Sequence, residues 1–401
     1  MTSRGVTRRN WANLILYKTQ LGIASLREKI VDKVAVAMSG GIDSSVAAAL
    51  LKERGYQVTG VTMRVGTGDK ADTSPDAAPA FINDARRVAD ALGIPHHVFD
   101  LRDIFHEKVI APFCQEYRAG RTPNPCVLCN RYIKFDALLD KARSLGAGCI
   151  ATGHHARVTR DDGSGRVFLR KGRDRQKDQS YFLYALTQEQ LRHAMFPIGH
   201  LTKEEVRTEA RERNLPTGSR PESQDICFIP NNDYADFLKG FLPQTSEPGP
   251  ILDEHGNILG RHRGIVNYTI GQRKRLGIAA GEPQYVIAIE PEHNAVIVGN
   301  RERALGDELT ATRVNWSAIA RPTEAITARA KIRYRHPEAE VTVTPVDKDS
   351  VSVKFKEPQL AITPGQSIVF YNGDKVLSGG TITVSSKLMA PEPAKEYASN
   401  G

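Results

Sequence analysis

The sequence lacks long hydrophobic runs and contains few cysteines. No apolar stretch in its 401 residues approaches the roughly 20 residues of a membrane-spanning helix, which argues against an integral membrane protein. The five cysteines are too few, and odd in number, for the disulfide framework of a secreted protein. We therefore expect a reducing, cytoplasmic location.

Acidic residues are absent from the first 27 positions, where arginine and lysine recur. Organellar transit segments share this composition, so a mitochondrial location is the alternative. Over the whole chain 55 Lys and Arg face 46 Asp and Glu, for a formal net charge of +9. Because a cationic surface attracts polyanions, nucleic acid is a candidate partner.

The chain exceeds the roughly 100 to 200 residues of a typical domain, so two or three domains are expected. Up to about Thr152, strand-like and helix-like segments alternate, which predicts an α/β fold with a Rossmann-like parallel sheet covered on both faces. A hairpin and a helix capped by Thr202 are predicted next. In order, the predicted strands are 34–38, 57–65, 97–101 and 148–152, the helices 43–54, 81–92, 104–117 and 135–145, the hairpin 158–170 and the capped helix 203–213, with a small polar loop at 66–79.

After about Pro230 the chain is rich in Gly and Pro and in short β-type runs, which predicts a small mixed domain and then a C-terminal β-barrel. The predicted runs are 285–289, 295–299, 328–334, 341–344, 351–355 and 367–371. The predicted divisions are a basic N-terminal extension at 1–30, an α/β domain at 31–229, a small central domain at 230–292, a barrel at 293–388 and a disordered tail at 389–401.

The segment Ser39–Ser45, called the phosphate loop below, reads Ser-Gly-Gly-Ile-Asp-Ser-Ser and joins the first predicted strand to the first helix. Parallel α/β sheets bind ligands at such a junction, and two glycines allow the backbone to approach a phosphate closely. The hydroxyls and the helix N-terminal N–H groups supply donors. No Gly-Lys-Ser/Thr occurs, which excludes a Walker loop. The alternative is an ordinary Asp or Ser cap on a core helix.

This loop resembles that of the PP-loop ATP pyrophosphatases, which split ATP between its α and β phosphates and adenylate a substrate oxygen. The resemblance implies ATP and Mg²⁺ as cofactors. It also implies that Met63 lies near the adenine and Gly153 near the nucleotide. The implied phosphate-binding residues are Ala37, Met38, Ser39, Gly40, Gly41, Ile42, Asp43 and Ser44.

The cysteines indicate which nucleophile follows adenylation. Cys126 and Cys129 fall on a predicted Pro-rich loop, and Cys227 falls on a second predicted loop. Cysteines in polar loops are more often reactive than cysteines in apolar runs. By the same test Cys114 and Cys149 are predicted to pack in the core.

Seven motifs in order resemble the tRNA-specific 2-thiouridylases, the MnmA/TrmU family of the PP-loop superfamily, over about residues 32 to 385. Besides the phosphate loop they are Leu128-Cys-Asn-x-x-Ile-Lys-Phe135, Ala151-Thr-Gly-His154, Lys177-Asp-Gln-Ser-Tyr181, Asp225-Ile-Cys-Phe228, Arg333-Tyr-Arg335 and Thr363-Pro-Gly-Gln366. The resemblance implies ATP-dependent 2-thiolation of the wobble uridine of tRNA, by adenylation of uracil O2 and transfer of sulfur from a persulfide. Cys129 is the implied nucleophile, Cys227 the implied persulfide carrier, and the two are implied to form a disulfide without substrate.

The same resemblance implies a set of tRNA contacts and partners. Asn124, Pro125 and Cys126 would face the target base, and an unpaired base suits stacking on Tyr334. A sulfur-relay protein or cysteine desulfurase is the implied sulfur source, and the protein is expected to be a monomer. The other implied tRNA contacts are His154, Lys177, Asp178, Gln179, Arg333 and Gln366.

One position departs from the family pattern. Many members carry Asp where this chain has Cys126, and Cys126, Cys129 and Cys227 together make a set of three thiolates. Such a set resembles the cluster ligands of related tRNA thiolases, so a four-iron four-sulfur cluster and a metal-free persulfide relay both remain open. A structural zinc site is disfavoured because no fourth ligand is evident.

Basic stripes recur along the chain, and together they could follow a folded RNA. Any single stripe is equally well explained as a solvated face. Two other functions remain open: a PP-loop synthetase that adenylates a small molecule for amidation, and an inert RNA-binding protein that kept a nucleotide fold. The stripes are 170–177, 261–263, 273–275 and 331–335.

Overall fold

A computed structural model describes residues 33–66, 79–217, 226–229, 233–242, 245, 247–279 and 281–385. The predicted N-terminal extension, most of the predicted loop at 66–79 and the predicted tail lie outside the described residues. The described chain divides into two compact units. The first takes in 33–108, 127–217 and 373–377, and the second takes in the rest.

The first unit is built on a five-stranded parallel sheet in the order β3-β2-β1-β4-β7. The central strand β1 has Val34, Ala35 and Val36 fully buried, as expected for a parallel strand covered on both faces. The predicted α/β class is therefore confirmed. The strands are β1 (Lys33–Ala37), β2 (Gln57–Arg64), β3 (His96–Asp100), β4 (Cys149–Ala151) and β7 (Ala194–Met195).

The described residues form helices in both units, and three of these helices match the predicted segments closely. In chain order the helices are α1 (Ile42–Glu53), α2 (Ala80–Leu92), α3 (Arg102–Phe105), a π-helical turn (His106–Ile110), α4 (Ala111–Arg118), α5 (Pro125–Leu128), a π-helix (Cys129–Ala137), α6 (Leu138–Ser144), a 3₁₀ turn (Ser180–Phe182), α7 (Gln188–Arg192), α8 (Lys203–Glu212), α9 (Tyr234–Lys239) and a 3₁₀ turn (Ile265–Asn267). The predicted capping of α8 is confirmed, because the Thr202 hydroxyl accepts from the Glu205 N–H and the Glu205 carboxylate accepts from the Thr202 N–H. None of the described helices is long and apolar enough to cross a bilayer.

The helical run from Pro125 to Ser144 corrects one prediction. The sequence predicted a helix only from Phe135, with both Cys126 and Cys129 on a Pro-rich loop, whereas the helical run begins ten residues earlier and contains both cysteines. Proline breaks a helix interior but suits the first turn, where its missing N–H would have no partner in the helix. Pro125 is therefore a helix start. Within the π-helix, Phe135 has non-helical dihedral angles (φ −103°, ψ 16°), which mark a kink.

The predicted hairpin is confirmed as β5 (Ala156–Arg160) paired antiparallel with β6 (Val167–Lys171). Arg170 of β6 pairs with Lys375, and the Asp374 carboxylate accepts hydrogen bonds from Arg157 at 2.8 Å and Arg170 at 2.6 Å. These contacts place residues 373–377 in the first unit.

The second unit contains a four-stranded sheet, β10-β11-β8-β9, and a closed barrel in the order β12-β15-β14-β13-β16-β17, with β17 pairing back to β12. The predicted β character is confirmed, although the predicted run 328–334 ends as a strand at Lys331. The strands β8, β9, β12 and β17 were not predicted, in part because Gly interrupts their alternation of apolar and polar residues. The strands are β8 (Gly249–Leu252), β9 (Ile258–His262), β10 (Tyr285–Glu290), β11 (Ala295–Gly299), β12 (Leu305–Asn315), β13 (Ile326–Lys331), β14 (Ala339–Pro345), β15 (Val351–Leu360), β16 (Ser367–Asn372) and β17 (Lys375–Ser385).

Candidate active site

The phosphate loop turns sharply between β1 and α1. Gly40 has φ +74°, and a Cβ there would lie 2.4 Å from the Cβ of Asp84, so only glycine fits. Gly41 is the N-cap residue of α1, and no side chain caps that start. The alternative of an ordinary Asp or Ser cap is therefore wrong. An uncapped helix start after a glycine turn is suited to binding a phosphate.

The serines of the loop fix its shape. The Ser44 and Ser45 hydroxyls donate to the Gly41 carbonyl at 3.1 Å and 2.9 Å, and the Ser39 N–H donates to the Ser44 hydroxyl at 3.3 Å. These short-range bonds fix the backbone of the loop in this turn. The loop is thereby preorganised for an anion.

Gly153 lies against the phosphate loop. A Cβ at this position would be 2.7 Å from the Asp43 carbonyl carbon and from the Ser44 nitrogen, closer than atoms can approach. Gly153 follows β4, and Met63 lies near the end of β2; these two strands flank β1. The structure thus brings the predicted nucleotide residues Ala37 to Ser44, Met63 and Gly153 to the carboxyl edge of the sheet, where open α/β sheets bind ligands.

Asp43 of the phosphate loop forms a partly buried ion pair that sequence reasoning missed. The Lys203 ammonium, 9% exposed as a side chain, lies 2.7 Å and 2.8 Å from the two carboxylate oxygens, and Nε2 of His155 lies 3.6 Å from one of them. Burial raises the pKa of Asp43, but His155 and Lys203 lower it more, so the net pKa is below its ordinary value. The carboxylate is therefore ionised at neutral pH.

His154 is buried, as is typical of a structural histidine. Its Nδ1 lies 2.7 Å from the Thr152 hydroxyl, and its ring contacts Phe135 and Phe196. Burial, with the charge of nearby Lys134 and the His155 imidazole adding to it, holds the pKa of His154 well below its usual range. The imidazole is neutral at pH 7, and a direct tRNA contact by His154 stays a prediction.

The predicted tRNA-binding segment 177–179 is tied to the loop that carries His155. The Gln179 side-chain carbonyl accepts from the His155 N–H at 2.9 Å, and the Gln179 N–H donates to the His155 carbonyl at 2.9 Å. The buried Asp178 carboxylate accepts from the N–H groups of Gly172 and Ser180. Lys177 and Gln179 are half-buried, so Asp178 acts as the internal anchor of this segment.

Cys129 is the first residue of the π-helix and is 8% exposed. The next residue, Asn130, donates to the Phe182 carbonyl at 3.0 Å and accepts from the Lys134 ammonium at 3.0 Å. π-Helical turns within α-helices occur frequently at functional sites. Cys129 is thus held on a rigid element of the same unit as the phosphate loop.

In the second unit the predicted residue Gln366 contacts the segment that precedes Asn124, Pro125 and Cys126. Its amide donates to the carbonyls of Thr122 and Pro123 at 2.9 Å and 3.3 Å. Gly365 (φ +89°) allows this approach, since a Cβ there would lie 2.9 Å from the Thr122 carbonyl oxygen. Two motifs 240 residues apart in the sequence therefore meet in this unit.

Arg333 and Tyr334 lie in the turn between β13 and β14 and are half-buried. The Arg333 guanidinium donates to the Leu360 carbonyl at 3.0 Å. The turn presents both residues beyond the end of a barrel strand, but their contact with tRNA stays a prediction.

Cys227 is exposed, whereas its neighbour Phe228 is buried. The Phe228 ring packs edge-on against Phe113 and Phe237, each at 5.5 Å between centroids. This aromatic contact anchors the segment 226–229 and leaves the thiol outside. By contrast Cys114 and Cys149 are buried, which confirms their predicted place in the core.

Within the described part of the chain, no group of three or more His, Cys, Asp or Glu side chains could hold a metal ion. Of the three cysteines, Cys126 is half-buried, Cys129 is buried and Cys227 is exposed. A four-iron four-sulfur cluster on these cysteines stays a prediction, as does the metal-free persulfide relay.

Family models match three consecutive parts of the chain. They are described as tRNA methyl transferase HUP domain at 32–231, tRNA methyl transferase PRC-barrel domain at 235–300 and aminomethyltransferase β-barrel domain at 306–382. A tRNA-specific 2-thiouridylase of Caldanaerobacter subterraneus is 52% identical, with 88% of this chain and 98% of that protein covered. The chain belongs to the tRNA-specific 2-thiouridylase family.

Two further 2-thiouridylases show the same extent of similarity. The protein of Acetivibrio thermocellus is 48% identical, over 87% of this chain and 99% of its own length. That of Syntrophotalea carbinolica is 52% identical, over 87% and 98%. A solved 4-thiouridine synthetase–RNA complex with bound ATP is similar over 53% of this chain and 51% of its own, at 16% identity and a TM-score of 0.31.

Proposed function

We propose that this protein uses ATP to replace O2 of the wobble uridine of tRNA with sulfur. The observation that carries the proposal is the preorganised phosphate loop, in the same unit as Cys129, in a chain that matches 2-thiouridylases along almost their whole length. A transferase of this class needs an activating nucleotide site and a sulfur-handling thiol. The chain supplies both.

In the first step ATP, bound as its Mg²⁺ complex, places its phosphates at the phosphate loop. Uracil O2 attacks the α-phosphorus, the α–β phosphoanhydride bond breaks, and pyrophosphate leaves. The glycine turn and the N-terminus of α1 stabilise the negative charge of the phosphates. The resulting O-adenylate makes O2 a good leaving group.

In the second step a persulfide on Cys227 supplies the sulfur. The Cys129 thiolate attacks the inner sulfur, the S–S bond of the persulfide breaks, and hydrosulfide leaves as a Cys129–Cys227 disulfide forms. Hydrosulfide adds to C2 of the uracil and AMP departs, giving 2-thiouridine. A thiol reductant reduces the disulfide, and a cysteine desulfurase or sulfur-relay protein reloads Cys227 before the next turnover.

Exposure supports this assignment of roles. A carrier that is loaded by a partner protein must be reached from outside, and Cys227 is exposed. A nucleophile that must avoid solvent oxidants benefits from burial, and Cys129 is buried. The proposed tRNA contacts are Asn124, Pro125, Cys126, His154, Lys177, Asp178, Gln179, Arg333, Tyr334 and Gln366. A cytoplasmic, monomeric protein suits this reaction.

The test is sulfur incorporation into unmodified tRNA by protein purified without oxygen, with ATP and a persulfide source. We expect thiouridine from the wild type and from a Cys114→Ala control, and none from Cys129→Ala or Cys227→Ala. Iron is assayed in each sample. Thiouridine that requires iron would contradict the metal-free route, and a fully active Cys227→Ala variant would point to a synthetase that amidates a small molecule.

A further inference from the structure

The buried lysine beside the phosphate loop has no part in the reaction described above. Lys203 is the first residue of α8, and its ammonium lies 2.7 Å and 2.8 Å from the two carboxylate oxygens of Asp43. A buried lysine is costly unless it is paired, and this one is paired with a residue of the phosphate loop itself. Its position therefore bears on the conformation of the loop that is proposed to hold ATP.

The backbone of the same lysine reaches a second segment. The Lys203 N–H donates to the Asp174 carboxylate at 3.0 Å. Asp174 also accepts from the N–H groups of Gln176 and Lys177, at 3.0 Å and 3.3 Å. One residue thus joins the phosphate loop to the segment 174–179, which holds the proposed tRNA contacts Lys177, Asp178 and Gln179.

His155 makes a second connection between the same two places. Its main chain exchanges two hydrogen bonds with Gln179, each of 2.9 Å, and its Nε2 lies 3.6 Å from Asp43. The residue is 2% exposed. Lys203 and His155 therefore each connect the segment 174–179 to the Asp43 carboxylate of the phosphate loop.

We propose that Lys203 is a positioning residue which, through Asp43 and Asp174, makes the affinity of the phosphate loop for ATP depend on tRNA bound at the segment 174–179. The inference rests on the proposed function for the identity of the two ligands. Its physical basis is that an ion pair whose ammonium is buried has few alternative arrangements, so a displacement of one partner changes the position of the other. By linkage, ATP changes the affinity for tRNA by the same factor.

The test measures the Kd of a non-hydrolysable ATP analogue with and without saturating unmodified tRNA. In the wild type we expect tRNA to tighten the analogue by about tenfold, within the usual range of such coupling. In Lys203→Met we expect weaker binding of the analogue and less than about a twofold effect of tRNA. Lys203→Arg, which keeps the charge, should retain much of the coupling. The Kd of tRNA alone should be that of the wild type in every variant.

Two variants keep the test decisive. Arg207→Met removes an exposed cation one turn further along α8, where it pairs with Glu204 at 3.3 Å, and should behave as the wild type. If the unpaired Asp43 prevents Lys203→Met from folding, the double variant Asp43→Asn/Lys203→Met replaces the ion pair by a neutral one of similar size.

Lys203→Met protein that binds the analogue and responds to tRNA as the wild type does would overturn the inference, as would wild-type protein with no tRNA effect. Thiouridine formation is measured on the same samples. Wild-type protein that makes no thiouridine would contradict the proposed function. If tRNA still tightens the analogue in that protein and Lys203→Met abolishes the effect, the inference about Lys203 holds.

Discussion

The phosphate loop and the Cys227 segment hold their functional groups in opposite ways. Three kinds of contact hold the phosphate loop. Gly40 and Gly153 admit no Cβ, serine hydroxyls bond to its backbone, and Asp43 pairs with the buried Lys203. Cys227 stands exposed beside one buried aromatic anchor, Phe228. Phosphate activation needs a preformed binding site, whereas a sulfur carrier must be accessible to the protein that loads it.

The largest effect on the phosphate loop is expected from a substitution at Gly153. In Gly153→Ala the new methyl group would overlap the backbone of Asp43 and Ser44, so the phosphate loop must move. We expect kcat/KM for ATP, measured as AMP release in the presence of tRNA, to fall about 100-fold, equivalent to about 2.7 kcal/mol. Gly163→Ala in the exposed hairpin turn, whose Cβ meets nothing nearer than 3.9 Å, is the control and should change little. A Gly153→Ala enzyme with wild-type kinetics would mean that the phosphate loop is not rigid.

The anchor of the other region is tested by Phe228→Ala. Loss of a buried ring that packs on Phe113 and Phe237 should lower the free energy of unfolding by about 3 kcal/mol, as large aromatic truncations do. Thiouridine formation should fall while the Kd of the ATP analogue stays that of the wild type. Phe241→Ala removes a ring that is 39% exposed and should cost far less. Weakened ATP binding in Phe228→Ala would show that the two regions are not independent.

The same contrast explains what could be predicted from sequence. The phosphate loop was predicted in detail because its glycines, serines and flanking strand are consecutive in the chain. The pairing of Asp43 with Lys203 was not, because the two residues are 160 positions apart and Lys203 has the pattern of an ordinary helix start. The sequence predicts a loop at Cys129 because the preceding segment is rich in proline, whereas Pro125 lies in the first turn of a helix. Local backbone chemistry is readable from sequence, whereas contacts between distant segments require the fold.

Thiol reactivity gives the mildest test of the comparison. Burial raises the pKa of Cys114 and of Cys149 to about 11, from an ordinary value near 9. Alkylation requires the thiolate, so at pH 8 roughly one molecule in a thousand is reactive at these sites, and the rate should rise about tenfold per pH unit towards pH 11. The exposed Cys227 should be labelled first by iodoacetamide at pH 8.

Peptide mass spectrometry after timed labelling at pH 7, 8 and 9 measures these rates, and the protein in concentrated guanidinium is the control in which all five cysteines react alike. The raised pKa values also mean that the folded state holds these protons more tightly than the unfolded state. Stability from the two thiols is therefore complete below about pH 9 and is lost as the pH rises towards 11. If Cys114 or Cys149 of the native protein reacts as fast as Cys227, the difference in reactivity expected between buried and exposed thiols is contradicted.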